Sequence, residues 1–442
     1  MDFKKIIDKA MAEGFTAVEV YYSYTKQYLV SLFNGALDKS QATDSNIYSL
    51  RGIYNGKMAY VTFENDEENI DKIIKTLKSN AKALTTNEEF DLFKGSKEYQ
   101  KIEEIDGGFD KVLVSDKIEL LKKLEKKIRE LDNRIVFIPV LRYSDVHEGT
   151  RIVNSYGLDI EKSNTYGMLL AQVVAKENDK TQSGFEVKLK LRYDELDVEE
   201  IAKKAVDRAV AMLNASPCST KTYPVIIENE AMCDILGGFA SMFSGESAIK
   251  GLTSLKGKEG KKIMDERVTI CDDPFHKDFY AKQPFDDEGV ACYKKNIVEN
   301  GIFKTMLHNI KTAKYFNTVS TGNGFKGNAG GAVIVQTVNS YIVPGEKTKE
   351  EMISGLKEGL LITDLSGLHA GLNPISGDFS AQSSGFLIEN GKIVRPINLV
   401  VVSGNFLKMM NDIDTIGKDL FISYDGQGSP SILFKGLQVS GE

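Results

Sequence analysis

Apolar positions along the chain follow two periods. At the start, Phe3, Ile6, Ile7, Ala10 and Met11 recur at the spacing of one helical face, with Asp2 placed to cap the helix and Gly14 to end it. The period then falls to two. Residues 17–24 alternate, 27–33 run into Asn34-Gly35, and 47–53 run through Asn55-Gly56 into 58–63. Asn-Gly supplies the two positive-φ residues of a type I′ turn, so these segments predict an antiparallel sheet built from hairpins and not βαβ units. A helical period returns from about Asp66 to Leu84, where Ile70, Ile73, Ile74 and Leu77 form a stripe able to cover one sheet face.

Residues 85–110 hold no period and end in Asp106-Gly107-Gly108, as a linker does. A helix is predicted over 115–131, capped by Ser115 and buried through Ile118, Leu121, Leu124, Ile128 and Leu131; strand-like segments follow at 135–143, 152–154, 168–176 and 185–192, and a helix over 198–213 closes the unit. Helix, strands, helix is also the order of the first unit, which allows a duplication. Beyond Cys218 come a strand at 223–227, a helix at 230–243, hairpins at Asn300-Gly301 and Asn390-Gly391, a helix near 349–358 and a strand-rich close, GKDLFISYDGQGSPSILFKGLQV, expected to pair back into the same sheet. The fold class is therefore α+β: an N-terminal unit over 1–84 with an antiparallel sheet and flanking helices, a linker over 85–110, a middle α+β unit over 111–216, and a β-rich unit over 217–442 built on a large curved antiparallel sheet or barrel-like body.

Composition narrows the function classes. With 27% charged and 42% hydrophobic residues the chain is an ordinary globular protein, and 442 residues suit two or three domains. A net charge of −7 gives no support for a polyanion, so nucleic acid is not an expected partner. No apolar run is long enough to span a bilayer and no signal-like segment opens the chain, which reads as cytoplasmic with no membrane partner. Four scattered cysteines fit a reducing compartment.

Candidate chemistry concentrates late in the chain. Residues 367–384 place His369, Asn373, Ser376, Asp378 and Ser380 among glycines and a proline, a long loop of the kind that often binds something, and 386–397 reads as the hairpin beyond it. The other histidines have plainer readings: His276 in CDDPFH as an exposed group in a turn beside a buried thiol, His147 in a polar turn with Asp145 and Glu148, and His308 as a satisfied sheet residue in KTMLHNI. Cys233 fits a core thiol on its helix. No G-x-S-x-G elbow is present, and TGNGF at 321–325 lacks the Lys-Ser/Thr of a P-loop.

Seven short motifs then occur in one order: DDEG (286–289), VENGI (298–302), STGNG (320–324), NSYIVPG (339–345), GDFS (377–380), IENGKI (388–393) and SGN (403–405), with VNSYGL (153–158) upstream. In that order and spacing they resemble the TldD/PmbA family of peptide-maturation proteins, also labelled modulators of DNA gyrase. The family's catalytic branch carries HExxxH on a helix early in the third unit, and a Cys near the C-terminus completes its zinc site. Here the matching helix reads ILGGFASM, placing Gly237, Gly238 and Met242 where the first His, the Glu and the second His belong, and no Cys stands near SYDGQGSP. None of the three can ligate zinc or move a proton. The resemblance thus points to the TldE/PmbA-like branch and implies no cofactor in this chain, with zinc on a TldD-like partner. It implies a non-catalytic subunit of a two-chain metalloprotease, paired with that partner or with itself, acting on extended or unfolded peptides. Asp286, Asp287, Asn323, His369, Asn373 and Asp378 are the expected lining of a peptide cleft. An independent metallopeptidase with an unrecognised site and a regulatory partner of DNA gyrase are the alternatives.

Overall fold

The computed structural model describes residues 1–64, 69–85, 91–103 and 105–442. Helix α1 (Phe3–Ala12) is capped by the Asp2 carboxylate, which accepts the Lys5 N–H at 3.1 Å. Strands β1 (Ala17–Phe33), β2 (Ala36–Tyr54) and β3 (Lys57–Glu64) turn at Asn34-Gly35 and Asn55-Gly56, whose φ angles of 48°, 76°, 51° and 74° are those a type I′ turn needs. The strands are far longer than alternation suggested, because β1 and β2 stay paired from Ala17↔Ile53 to Phe33↔Ala36, although the outer half of β2 is exposed on both faces. Helix α2 (Ile70–Ala83) covers the inner half with Ile70, Ile73, Ile74 and Leu77; the expected helix start near residue 66 lies outside the described residues.

Helix α3 (Val114–Leu131) begins one residue before its expected cap. Ser115 lies inside the helix, no side chain caps it, and Leu131 is exposed. Lys117 is buried in their place, its ammonium on the Asp145 carboxylate at 2.6 Å. Strands β4 (Ile135–Asn154), β5 (Asp159–Glu177) and β6 (Lys180–Lys190) follow, with α4 (Val198–Ala211) packed on them. The polar turn expected at His147 is instead the middle of β4, where the imidazole Nδ1 meets the Thr165 hydroxyl at 2.8 Å. β1 pairs with β4 over Glu19↔Asn154 to Leu32↔Leu141, so both α+β units share one antiparallel sheet in the order β3-β2-β1-β4-β5-β6. Alternation alone cannot reveal such a pairing, since each half looks complete by itself.

The C-terminal part holds a closed five-stranded barrel. Strand β7 (Lys221–Ile227), helix α5 (Asn229–Phe239) and strands β8 (Glu358–Ser366), β9 (Asp378–Glu389), β10 (Lys392–Asn405) and β11 (Ile432–Ser440) build it in the order β8-β7-β11-β10-β9, and β9 returns to β8. Closure removes the sheet edge. One seam departs from the antiparallel expectation, since β7 and β8 run parallel. Residues 378–384, expected in a loop, form the start of β9 paired with β10. The closing segment also divides: Ile432–Ser440 enters the barrel, whereas Phe421–Ile422 and Gln427–Ser429 join a second six-stranded sheet with Ile270–Asp272, Lys295–Glu299, Ile302–Phe303 and Ser340–Ile342. No described helix is long and apolar enough to cross a membrane.

Candidate functional site

Helix α5 shares one core with the barrel through Ala231, Met232, Ile235, Leu236 and Phe239, the last stacked on Phe406 with ring centroids 4.7 Å apart. The α-helix stops at Phe239 and tightens into a 3-10 turn over Ala240–Phe243, so 237, 238 and 242 do not sit on one continuous α-helical face. Met242 is fully buried among apolar side chains. A Cβ on Gly238 would run into Leu372 Cδ1, and one on Gly237 would stand 3.3 Å from Gln427 Cγ. Glycine at 237 and 238 and a core methionine at 242 offer no imidazole, thiolate or carboxylate, and these residues do not fit a zinc ion. Among the described residues no group of three or more His, Cys, Asp or Glu is arranged to hold a metal.

The six expected cleft residues separate into two sets. Asp286, Asp287 and Asn323 are buried where the long sheet meets the C-terminal body. Asp286 accepts the backbone N–H groups of Glu288, Val290 and Gly324 at 3.0, 2.9 and 2.9 Å; Asn323 donates to Asp272 Oδ2 at 2.9 Å and to the Gln336 carbonyl at 2.8 Å. Burial, reinforced by the neighbouring carboxylate of Glu288, raises the Asp286 carboxyl above its ordinary range. His369, Asn373 and Asp378 are exposed on residues 368–378, where Asn373 Oδ1 accepts the Ile375 N–H and Asp378 accepts from the Asn405 amide at 2.8 Å. Side-chain hydrogen bonds from Asn405 and Ser376 hold the Asp378 carboxyl below the usual range. No hydrogen bond joins the two sets. The remaining histidines also differ from expectation in detail: His276 is half-buried against Phe279 and Tyr341, and His308 precedes the 310–315 helix with its Nδ1 3.2 Å from the Thr312 hydroxyl.

Four of the motifs, DDEG, STGNG, NSYIVPG and VNSYGL, meet at a joint. Gly289 of DDEG adopts φ 85°, and its backbone lies against Leu158 of VNSYGL; Tyr99 donates to its carbonyl at 2.7 Å. Asp272, fully buried, gathers Lys295 Nζ at 3.2 Å, the Asn323 amide, and the N–H groups of Val338 and Asn339 at 2.8 and 3.2 Å. That residue escaped the sequence reading, since CDDPFH drew attention to its thiol and imidazole.

Beside this joint lies a polar cleft of about 350 Å³ between β1, β4 and β5 and the C-terminal body. Tyr21, Ser23, Thr25, Glu148, Thr150 and Lys162 line its sheet side, and Tyr280, Gln283, Asp287, Lys326, Gln336, Asn339 and Asp425 line the other. Of the six expected residues Asp287 alone lines it, receiving Lys162 Nζ at 3.4 Å and the Lys326 N–H at 2.8 Å. Lys326 Nζ lies 3.8 Å from the Tyr21 ring centroid, a cation held on a π face. Burial, with the Arg51 guanidinium adding to it, pushes the Lys326 ammonium down to about 8. Burial likewise raises the Glu148 carboxyl, and Lys162 opposes only part of that shift. The folded chain gives up the Lys326 proton before the unfolded chain does. The cost of burying the cation is therefore fully present below about pH 8 and relieved as pH climbs toward 10.5, so stability from this group rises across that window. Competitive acylation read by mass spectrometry should show Lys326 gaining reactivity with a midpoint near pH 8. A midpoint close to the ordinary lysine value of about 10.4 would contradict its buried environment.

Fold and site together define an α+β chain with a long shared antiparallel sheet, a closed C-terminal barrel and a polar cleft between them. Family models described as PmbA/TldA metallopeptidase domain 1, central domain and C-terminal domain match residues 18–81, 108–213 and 220–441. The chain belongs to the PmbA/TldD metallopeptidase family. It is 32% identical over 343 residues to a metalloprotease of Archaeoglobus fulgidus, covering 72% of this chain and 76% of that protein, and 27% identical over 328 residues to metalloprotease PmbA of Escherichia coli, covering 74% and 70%. Among solved structures, a Thermotoga maritima protein named as a candidate modulator of a DNA gyrase superposes with a TM-score of 0.91 at 32% identity, covering 99% of this chain and all of that one. TldE from Thermococcus kodakarensis superposes with a TM-score of 0.90 at 25% identity, covering 99% of each.

Proposed function

We propose that this chain is the non-catalytic, TldE/PmbA-like subunit of a two-chain zinc metalloprotease that processes extended peptides, with the zinc on a TldD-like partner. The observation that carries the reading is the chemistry of α5 and the turn after it: glycines stand at 237 and 238, with Gln427 and Leu372 beside them, and Met242 sits in the core. A chain so built supplies binding surface and not a metal-activated water. Its likeness to the Thermococcus kodakarensis TldE over 99% of each chain supports the same branch. The cleft beside DDEG offers hydroxyls, side-chain amides and charges of both signs, which suit a polar main chain held without regard to sequence.

Reconstitution tests the proposal. A chain of the same organism that carries HExxxH is assayed on an unfolded protein with and without this one. Turnover is expected to rise at least about tenfold when both are present, the scale of one well-placed set of binding contacts. Equal turnover with and without this chain, together with no co-elution on gel filtration, would refute the subunit role.

A further inference from the structure

Two charged groups of the cleft make no ion pair within 4 Å among the described residues, although Glu19, Asp287 and Glu288 act on Lys326, and Lys162 on Glu148, from further off. Lys326 Nζ makes one long contact, 3.5 Å to the Ala329 carbonyl, and pairs with no carboxylate among the described residues. The Glu148 carboxylate has neither a hydrogen-bond nor an ion-pair partner among them, although it faces the same cavity. Leaving a half-buried charge of each sign unpaired is costly, and the cost is recovered when a ligand brings the opposite charge. One anion would satisfy only Lys326 and one cation only Glu148. A molecule charged at both ends satisfies both.

Their separation follows from the sheet. Lys326 lies over Tyr21, and Glu148 stands opposite Thr25 across the β1–β4 ladder, with Thr150 opposite Ser23 between them. Tyr21, Ser23 and Thr25 share one face, and at roughly 3.4 Å per residue the β1 positions beside the two charges lie about 13 Å apart along it. An extended peptide rises by the same step, so about four residues span from α-ammonium to α-carboxylate. Ser23 and Thr150 stand along that span, and Asn164, Asn339 and Gln283, whose shielded Oε1 has no donor among the described residues, also line the cleft. These are partners for main-chain N–H and C=O groups and place no demand on side-chain identity.

We propose that the cleft is a receptor for short free peptides of about four residues, the α-ammonium held at Glu148 and the α-carboxylate at Lys326. This rests on the assignment of the cleft to peptide, and narrows it from any extended chain to one with both ends free, as the products of peptide cutting are. Lys162 is excluded as the carboxylate receptor because it is already held by the Phe285 carbonyl at 2.8 Å and by Asp287.

Isothermal titration calorimetry on the full-length chain tests it with tetra-alanine, N-acetyl-tetra-alanine, tetra-alanine amide and the doubly capped peptide. Free tetra-alanine is expected to bind, and each single cap to weaken binding at least about tenfold, as loss of a charge-assisted contact does. Lys326→Met should abolish discrimination against the amide while keeping that against the acetyl cap, and Glu148→Gln should do the reverse. Dialanine, too short to reach both ends, should bind at least about tenfold more weakly than tetra-alanine. Equal binding of free and doubly capped peptide, or no heat from any of them at millimolar concentration, would overturn the proposal. The capped ligands keep the test decisive even where a variant folds poorly. If capped and free forms bind alike while the reconstituted pair still cuts unfolded protein, the receptor assignment falls and the subunit role stands.

Discussion

Writing the metal motif back into α5, through Gly237→His, Gly238→Glu and Met242→His together, is expected to lower stability by about 2 to 4 kcal/mol and to yield no zinc peptidase. The side chain at 238, though at an exposed position, must push aside the Cδ1 end of half-buried Leu372, and overpacking costs roughly 1 to 3 kcal/mol. An imidazole at 242 replaces a fully buried methionine of the apolar core, a penalty of similar size. Exchanging two helical glycines for better helix formers returns up to about 1 kcal/mol each at best. Urea unfolding measures the loss, and equilibrium dialysis measures zinc. Leu372→Ala added to Gly238→Glu should recover part of the stability, although Leu372→Ala alone is destabilising; that opposite-signed coupling is the signature of a shared space. A triple variant as stable as the natural chain and carrying one zinc would show that the fold around α5 accepts the ligating side chains.

Asp286→Ala should cost about 3 to 5 kcal/mol, measured by the same unfolding transition, because it strips three buried N–H groups of their acceptor at once. Asp286→Asn keeps the oxygen that serves Glu288 and Val290 but turns an amide toward the Gly324 N–H, so an intermediate loss is expected. Asp378→Ala, at an exposed position, should cost far less. The ranking matters for function. It predicts that Asp286 works through the joint between the long sheet and the C-terminal body, and any effect on peptide binding should track stability. Loss of binding with an unchanged unfolding midpoint would place Asp286 against ligand instead.

The physics of each miss is specific. Hairpin turns were legible because only glycine and asparagine reach positive φ cheaply, and Asn34-Gly35, Asn55-Gly56, Asn300-Gly301 and Asn390-Gly391 all adopt it. The helices α1, α2 and α5 were legible from their apolar stripes. The pairing of β1 with β4 was not, since it joins residues more than a hundred positions apart and leaves no local mark. Barrel closure by β9 on β8 is likewise a long-range fact.

The site divides the same way. Absence of ligands at Gly237, Gly238 and Met242 could be read directly, whereas the placing of Gln427 and Leu372 beside the glycines required the fold. Asp286, Asp287 and Asn323 stood out in the sequence as polar groups in motifs, and the buried hydrogen bonds of Asp286 and Asn323 place those two in the joint. Glu148 and Lys326 were missed because an unpaired charge looks like any surface residue until its surroundings are known.

Peptide turnover by the purified chain alone, supplied with zinc, bears most directly on the absence of zinc ligands from α5. An unfolded protein or model peptide should remain intact, with no zinc retained after dialysis and no change on chelation. Sustained hydrolysis by the solitary chain that is abolished by a chelator and restored by zinc would contradict the account.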